Sequence, residues 1–149
     1  MKQKVDIRKI GIDDIKCAAE LEQEIFSDPW SPGTLTQTAC NEHELLIGAW
    51  STDGVLSGYA ALSFILDEAN INRIAVRKEF RRQNIGSGLL TAAEELLGDE
   101  ISIYNLEVRQ SNTPAINLYL SAGYQIVGER KRFYTDPCEN AILMTKRKV

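Results

Sequence analysis

A basic, glycine-containing turn between a strand-like and a helix-like segment restricts the fold of this sequence more than any other feature. The basic turn, residues 81–88, reads Arg-Arg-Gln-Asn-Ile-Gly-Ser-Gly. A helix start presents backbone N–H groups that have no partner in the helix, and it carries roughly half a positive charge. The pattern therefore predicts an anion site that accepts a phosphate or pyrophosphate, where a side chain at Gly86 would obstruct the close approach of the anion.

The local charge supports this interpretation, because the basic turn lies in an acidic chain. The formal net charge is -4, whereas Arg77 and Lys78 add positive charge just before Arg81 and Arg82. The overall charge argues against a nucleic-acid-binding protein. Neither a P-loop nor the dinucleotide fingerprint is present, because no Gly-Lys-Ser/Thr closes the turn and Gly-x-Gly-x-x-Gly is absent. The alternative interpretation of the basic turn is an ordinary helix start with solvated arginines.

The order of segments predicts one α/β domain over residues 1–149, with a mixed, mostly antiparallel central sheet flanked by helices. Period-two runs bounded by turn residues indicate the strands, and apolar residues at helical spacing indicate the helices. The expected strands lie at 5–9, 45–50, 55–65, 70–76, 101–108, 124–128 and 141–146. The expected helices run from 13 or 14 to about 26, from 32, from about 86 to 97 and from 114 to 122.

Composition argues against several other classes of protein. No apolar run approaches the roughly 20 residues that span a bilayer, and residues 1–6 lack the apolar stretch of a signal peptide, so a cytoplasmic protein is expected. Cys17, Cys40 and Cys138 are far apart, which favours reduced thiols over disulfides. His43 is the single histidine, which disfavours a Ser-His-Asp triad, and a zinc site would lack any known ligand spacing. No metal is expected.

A second motif follows the strand expected at 101–108. It combines an asparagine with small and aromatic residues, at Asn112, Ala115, Tyr119, Gly123 and Tyr124. Ala115 and Tyr119 are four residues apart, so they share one face of a helix, and the small alanine leaves room for a ligand beside the phenol. In the alternative interpretation, Tyr119 is a core aromatic residue and Asn112 or Thr113 caps the helix.

The two motifs together resemble those of the GNAT superfamily of acetyltransferases. The acetyl-CoA loop of that superfamily reads Arg/Gln-x-x-Gly-x-Gly/Ala, and Arg81, Asn84 and Gly86 occupy these positions here. Asn84 replaces the usual first glycine, but asparagine tolerates a left-handed backbone better than most side chains. The resemblance extends over essentially the whole chain and points within the superfamily to the bacterial ribosomal-protein alanine N-acetyltransferases. The segments that carry it are 26–31, 67–76, 106–112 and 132–134.

This resemblance implies an acetyl-CoA-dependent N-acetyltransferase that acts on a protein N-terminal amine, with a ribosomal protein alanine as the leading candidate. It implies that Glu107 is the general base, directly or through water, and that Tyr119 protonates the CoA sulfur. It also implies that the backbone N–H of Ala75 or Val76 polarises the thioester. The other implied cofactor contacts are Ile74, Arg82, Gln83, Asn84, Ile85, Gly86, Ser87 and Asn112.

The acceptor side rests on fewer residues. The aromatic candidates to line an acceptor slot are Phe26, Trp30, Phe133 and Tyr134. The acidic candidates to attract a basic peptide are Glu24 and Asp28. All of them fit packing or solvated surface equally well, and Glu107 also fits a salt bridge on a strand. Acetylation of lysine or of a small-molecule amine is the alternative activity. A non-catalytic acyl-CoA-binding module is the alternative from another class.

Overall fold

Seven strands form one mixed sheet in the computed structural model, which describes residues 5–135 and 137–148. The strands are β1 Val5–Lys9, β2 Glu44–Ser51, β3 Leu56–Ile65, β4 Glu68–Val76, β5 Ile103–Arg109, β6 Gln125–Thr135 and β7 Cys138–Arg147. Their order is β1-β2-β3-β4-β5-β7-β6. Within the described residues, the β4–β5 pair is parallel and the other neighbours are antiparallel. The α/β class with a mostly antiparallel mixed sheet is thereby confirmed.

Two helices cover each face of this sheet. Helices α1, Ile15–Ile25, and α2, Pro32–Cys40, pack on one face, while α3, Ile85–Leu97, and α4, Thr113–Ser121, pack on the other. Successive β2 residues point to opposite faces, so Leu46 joins the α1–α2 core while its neighbours join the α3–α4 core. The sheet therefore separates two apolar layers.

Most element boundaries agree with those expected from the sequence to within one or two residues. The hairpin turn at 51–54 joins β2 and β3 with Gly54 at φ +79°, and Ser31 caps α2 by accepting the Thr34 N–H at 3.1 Å. The first helix is preceded by a short 3-10 turn at Ile12–Asp14. Of the N-terminal stretch, Met1–Lys4 lies outside the described residues.

The largest difference is in the last two strands, which are longer than predicted. Strand β6 was expected to end at Gly128 but continues to Thr135, where it pairs with Cys138 at the start of β7. It is an edge strand with mostly exposed side chains, and its second half is rich in charged residues. Because neither face of this segment is deeply buried, its sequence lacks the apolar alternation by which strands are predicted.

Strands β4 and β5 separate partway along their length. Their parallel pairing begins at Glu68 opposite Ile103 and ends at Ile71 opposite Leu106. Beyond that level, β4 continues on the side of β3 while β5 continues on the side of β7. Glu107 is the first residue of β5 past the paired stretch, so the fold places it at the apex of the opening.

An extra residue in β4 marks the same level. Leu62 pairs with Ile71 and Ala61 pairs with Arg73, so Asn72 has no partner of its own in β3. An inserted residue of this kind bends the strand and reverses which side chains face each side of the sheet. Ile71 accordingly packs in the α3–α4 core, whereas Ala75, four residues on, packs in the α1–α2 core.

Candidate active site

A cavity of about 1200 Å³ opens where β4 and β5 separate. Its walls come from β4, β5, α4, the β6–β7 hairpin and the α1–α2 turn, residues 26–31. Nine of the residues singled out from the sequence line it, namely Phe26, Asp28, Ile74, Glu107, Asn112, Ala115, Tyr119, Phe133 and Tyr134. The cavity lining does not include Ala75, Val76, Trp30, Glu24 or the basic turn. The proposed base and acid are therefore brought together, while the proposed pyrophosphate site lies elsewhere.

Glu107 combines access to the cavity with an ion pair. Its side chain is 36% exposed, and its Oε1 lies 3.7 Å from Nη1 of Arg130 on β6. The salt-bridge interpretation of Glu107 is thus realised, and its catalytic role stays a prediction. The Arg130 side chain is more than half exposed, and ion pairs this open to solvent contribute only about 0–1 kcal/mol. The carboxylate is consequently available to an amine that enters the cavity.

Tyr119 is a buried phenol on α4. The residue is 4% exposed, and its ring packs edge to face against Tyr124 with a centroid distance of 5.8 Å. Burial raises the pKa of the Tyr119 hydroxyl well above its ordinary value, and nearby Tyr134 adds to the rise. The hydroxyl therefore keeps its proton at neutral and moderately alkaline pH, as a proton donor requires.

Asn112 caps α4 at the edge of the cavity. Its Oδ1 accepts a hydrogen bond from the Ala115 N–H at 3.2 Å, so the capping alternative considered from the sequence is realised. Asn112 and Ala115 both line the cavity beside Tyr119. A helix start, a small side chain and a phenol therefore face the same space.

The basic turn has the backbone geometry of an anion site at the start of α3. Asn84 is in the left-handed conformation at φ +62°, as its replacement of a glycine led us to expect, and Arg82 is left-handed at φ +67°. The Gly88 N–H donates to the Asn84 carbonyl at 3.0 Å. The amides of residues 85–87 precede this first helical bond, so they are the groups that a bound anion reaches.

Gly86 has a packing role that the sequence did not indicate. A Cβ atom built on Gly86 would lie 2.9 Å from Cδ2 of Leu118 on α4, and the residue is buried. A side chain at this position would therefore require the Leu118 side chain to move, whether or not an anion is bound. Obstruction of a pyrophosphate by a side chain at Gly86 stays a prediction, and the contact with Leu118 means that a Gly86 variant would also disturb the packing of α3 on α4.

The α1–α2 turn is held by buried polar groups. Glu22 on α1 is fully buried, and its Oε1 accepts the Trp30 N–H at 2.7 Å. Glu24 instead forms an ion pair with Arg77, which directs its carboxylate away from the cavity. Of the two acidic residues considered for peptide attraction, the structure thus brings only Asp28 to the cavity lining.

The β6–β7 hairpin is fixed by Arg109, a residue to which the sequence assigned no role. Its guanidinium lies 4.3 Å from the centroid of the Tyr134 ring and donates from Nη1 to the Pro137 carbonyl at 2.9 Å and to Glu139 at 3.3 Å. Burial and the Glu107 carboxylate raise the pKa of the Tyr134 hydroxyl, while Arg109 opposes that rise. Because the Glu139 partner is 30 residues away, no local sequence signal identifies this pair.

Other features expected from composition are placed as follows. In the part of the chain that the structure describes, no group of three or more His, Cys, Asp or Glu side chains could hold a metal ion. No helix of that part is long and apolar enough to cross a membrane. Cys17, Cys40 and Cys138 are exposed and form no disulfide, in agreement with the expected free thiols.

Known proteins share both the sequence pattern and the fold. A relative from Bacillus subtilis (strain 168) is 36% identical over 97% of this chain and 96% of its own length. The ribosomal protein bS18-alanine N-acetyltransferase of Escherichia coli (strain K12) is 34% identical over 93% of this chain and 94% of its own length. The crystal structure of the ribosomal-protein-S18-alanine N-acetyltransferase from Escherichia coli has a TM-score of 0.87 at 31% identity, covering 97% of this chain and 94% of that one.

The sequence profile of the acetyltransferase (GNAT) family matches residues 15–124, a range that contains the basic turn, Glu107 and Tyr119. The matched range and the similarity of whole chains agree with the splayed strands and the left-handed turn before α3. The chain therefore belongs to the GNAT family of acetyltransferases, as an N-acetyltransferase that takes its acetyl group from acetyl-CoA.

Proposed function

We propose that this enzyme acetylates the N-terminal alanine of ribosomal protein bS18, a reaction that takes place in the cytoplasm with the ribosome's components. The observation that carries the proposal is the near full-length similarity to the Escherichia coli bS18-alanine N-acetyltransferase. The cavity supports it, because it joins a carboxylate, a protonated phenol and an aromatic-lined wall in one space. One domain over residues 1–149 contains all of these parts.

The donor end of the site is formed by backbone groups. The amides of residues 83–87 bind the pyrophosphate of acetyl-CoA, and the exposed Arg82 side chain supplies positive charge beside them. The edge of β4 at 74–76 lies past the point where β5 leaves it, so its amides are free of β5. Ile74, Ala75 and Val76 contact the cofactor along this edge, and the N–H of Ala75 or Val76 polarises the thioester carbonyl. Asn112 contacts the cofactor from the start of α4.

Two side chains move the protons. The neutral amine attacks the thioester carbonyl carbon, and Glu107 accepts the proton that the amine loses, directly or through water. The carbon–sulfur bond then breaks, and Tyr119 gives its proton to the departing thiolate. The raised pKa of the Tyr119 hydroxyl suits this role, because the phenol remains protonated until the thiolate forms.

The ionisation of the acceptor favours an α-amine. An N-terminal amine has a pKa of roughly 8 and a lysine side chain one of roughly 10.4, so forming the neutral nucleophile near pH 7 costs about 3 kcal/mol less for the α-amine. A single carboxylate base fits this easier deprotonation. Phe26, Asp28 and Tyr134 lie in the cavity wall, where an entering peptide N-terminus meets apolar, acidic and hydroxyl groups.

Mass spectrometry of reaction products tests the proposal. The protein is incubated with acetyl-CoA and a panel of basic peptides that differ in their first residue, together with small amines. We expect acetylation at the α-amine, fastest for N-terminal alanine and graded for larger residues, since a misfit methylene changes discrimination by roughly 1–3 kcal/mol. Acetylation confined to lysine or to small amines would overturn the proposed acceptor, and absence of thiol release with every amine would support the non-catalytic alternative.

A further inference from the structure

Arg73 on β4 occupies a central position beneath the α1–α2 turn. Its Nη2 donates to Glu22 Oε1 at 3.0 Å and to the carbonyl of Asp28 at 2.8 Å. Its guanidinium carbon lies 4.0 Å from the centroid of the Phe26 ring and 4.9 Å from that of the Trp30 ring. One side chain thus contacts the turn through two rings and a backbone carbonyl.

The extra residue in β4 makes these contacts possible. In a regular strand without the bulge at Asn72, Arg73 would face the same side as Ile71, which packs in the α3–α4 core. Because Asn72 has no residue opposite it in the β3 register, the side chains that follow it are reversed, and Arg73 points toward α1. The irregularity in β4 therefore places the Arg73 guanidinium against the α1–α2 turn.

Glu22 holds the Arg73 guanidinium in place. Its side chain is 0% exposed, and its carboxylate accepts hydrogen bonds from the Trp30 N–H, the Tyr59 hydroxyl and Arg73. A buried carboxylate is strongly unfavourable unless it is paired and hydrogen-bonded. The Arg73 side chain is 20% exposed, so the pair lies largely out of water and holds its geometry.

We propose that Arg73 is a positioning residue that fixes the α1–α2 turn in the conformation that receives the amine acceptor. The inference rests on the proposed function in that it takes the cavity as the acceptor site. Phe26, Ser27 and Asp28 line the cavity together with Arg73 itself, and Arg73 bonds or stacks against two of these three turn residues. Within the described residues, loss of Arg73 leaves the Glu22 carboxylate bonded to the turn only at the Trp30 N–H and removes the bond to the Asp28 carbonyl, so this wall of the cavity is held less firmly.

Steady-state kinetics of two variants test this inference with the full-length protein. In Arg73→Gln, we expect the acceptor KM to rise by about tenfold or more and the acetyl-CoA KM to change less than about twofold. Arg73→Lys keeps the charge but not the planar fork or the ring stacking, so we expect an intermediate rise. The lysine variant decides the question if the glutamine variant does not fold.

A spectroscopic measurement separates positioning from general stability. The chain has two tryptophans, Trp30 in the turn and Trp50 in β2. Protein labelled with 5-fluorotryptophan therefore gives two fluorine NMR signals. The signal that disappears in the Trp30→Phe variant is assigned to Trp30. We expect the Trp30 signal to shift or broaden in both Arg73 variants while the Trp50 signal stays unchanged. This signal reports on the turn whatever amine the enzyme acetylates, so it tests the inference even if the bS18 peptide is not a substrate.

Glu94→Gln serves as the matched control. It breaks the ion pair between Glu94 on α3 and Lys146 on β7, at 2.9 Å with side chains that are 16% and 24% exposed, far from the turn. We expect this variant to keep both KM values and the Trp30 signal. A folded Arg73 variant with an unchanged acceptor KM and Trp30 signal would overturn the inference. So would a loss confined to kcat, or an equal rise in both KM values.

Discussion

The donor and acceptor ends of the site are built in different ways. The proposed donor end is mainly contiguous backbone in the basic turn, whose geometry follows from two left-handed residues and a helix start. The proposed acceptor end consists of side chains from the α1–α2 turn, β4, β5 and the β6–β7 hairpin. It is held by ion pairs between residues that are 51 and 30 positions apart, Arg73 with Glu22 and Arg109 with Glu139.

This difference explains how one fold serves a constant donor and a variable acceptor. A backbone cradle recognises pyrophosphate with few side chains, so most of the turn can change without loss of binding. A wall held by paired side chains changes its shape when a single pair changes. The two ends meet at Glu107 and Tyr119, so substitutions there should lower turnover, whereas substitutions at either end should raise one KM.

The largest effect is expected from Glu107→Gln, which removes the base where the two ends meet. We expect turnover to fall by about 10²–10⁴-fold with little change in either KM. Without a base only the neutral amine reacts, and its fraction falls tenfold for each pH unit below a pKa of roughly 8, so the loss should be greatest at low pH. Rates measured from pH 6 to 9 test this. Exposed Glu95→Gln on α3 is the control, and a variant with near-native turnover would show that another group is the base.

A somewhat smaller loss, about 10²-fold, is expected from Tyr119→Phe, because only the proton donor to sulfur is removed. Acetyl-CoA should still bind with an unchanged KM. Since burial raises the pKa of this hydroxyl above its ordinary value, the wild-type kcat should show no descending limb between pH 8.5 and 10. A decline in kcat in that range would contradict the role of the phenol as the acid.

Tyr124→Phe is the matched control for Tyr119. Its ring packs against Tyr119, and its hydroxyl is buried without a hydrogen-bond partner. Removing an unsatisfied buried hydroxyl should leave the kinetics unchanged and raise the free energy of unfolding by about 1 kcal/mol. Chemical denaturation measures that change. An equal loss of turnover in both tyrosine variants would attribute the Tyr119 effect to packing.

At the donor end, Arg82→Glu should raise the acetyl-CoA KM by about tenfold, since it reverses a charge beside the pyrophosphate site. The acceptor KM should stay within twofold of the wild-type value. The same reversal at exposed Arg147, at the end of β7, controls for net charge. If both reversals act equally, long-range charge and not the basic turn governs donor binding.

The smallest effect is expected at the acceptor end, from Trp30→Ala. Trp30 does not line the cavity but packs against Arg73, which does, so we expect the acceptor KM to rise about threefold to tenfold through loosening of the turn. The acetyl-CoA KM should be unchanged. A rise in the acetyl-CoA KM alone would contradict the functional separation between the two ends.

The sequence was sufficient to predict the parts of the fold that depend on local signals. Ser31 caps α2, Gly98 ends α3 at φ +72°, and Asn84 adopts the left-handed backbone expected from its place in the motif. Strand β6 was predicted too short because its exposed, charged second half is ordered by pairing with β7 and not by burial. Pairing between distant segments leaves little periodic signal in either one.

Some residues of the candidate site could likewise be predicted from the sequence, and others could not. The resemblance to a known family assigned roles to Glu107 and Tyr119, which the fold brings to one cavity. It gave no role to Arg73, because the direction of that side chain depends on one unpaired residue in β4 and its partner lies on a distant helix. Glu24 was considered for peptide attraction on charge alone, and its pairing with Arg77 could not be foreseen from spacing.

A competition between two amines tests the central claim most directly. The enzyme receives acetyl-CoA and equal concentrations of two versions of one basic peptide, one with a free N-terminal alanine and no lysine, the other blocked at its N-terminus and carrying one lysine. Mass spectrometry at low conversion should show the α-amine product in excess by roughly 250-fold, the ratio of neutral amines that a pKa difference of about 2.4 gives near pH 7. Equal amounts of the two products, or an excess of acetyl-lysine, would contradict the account.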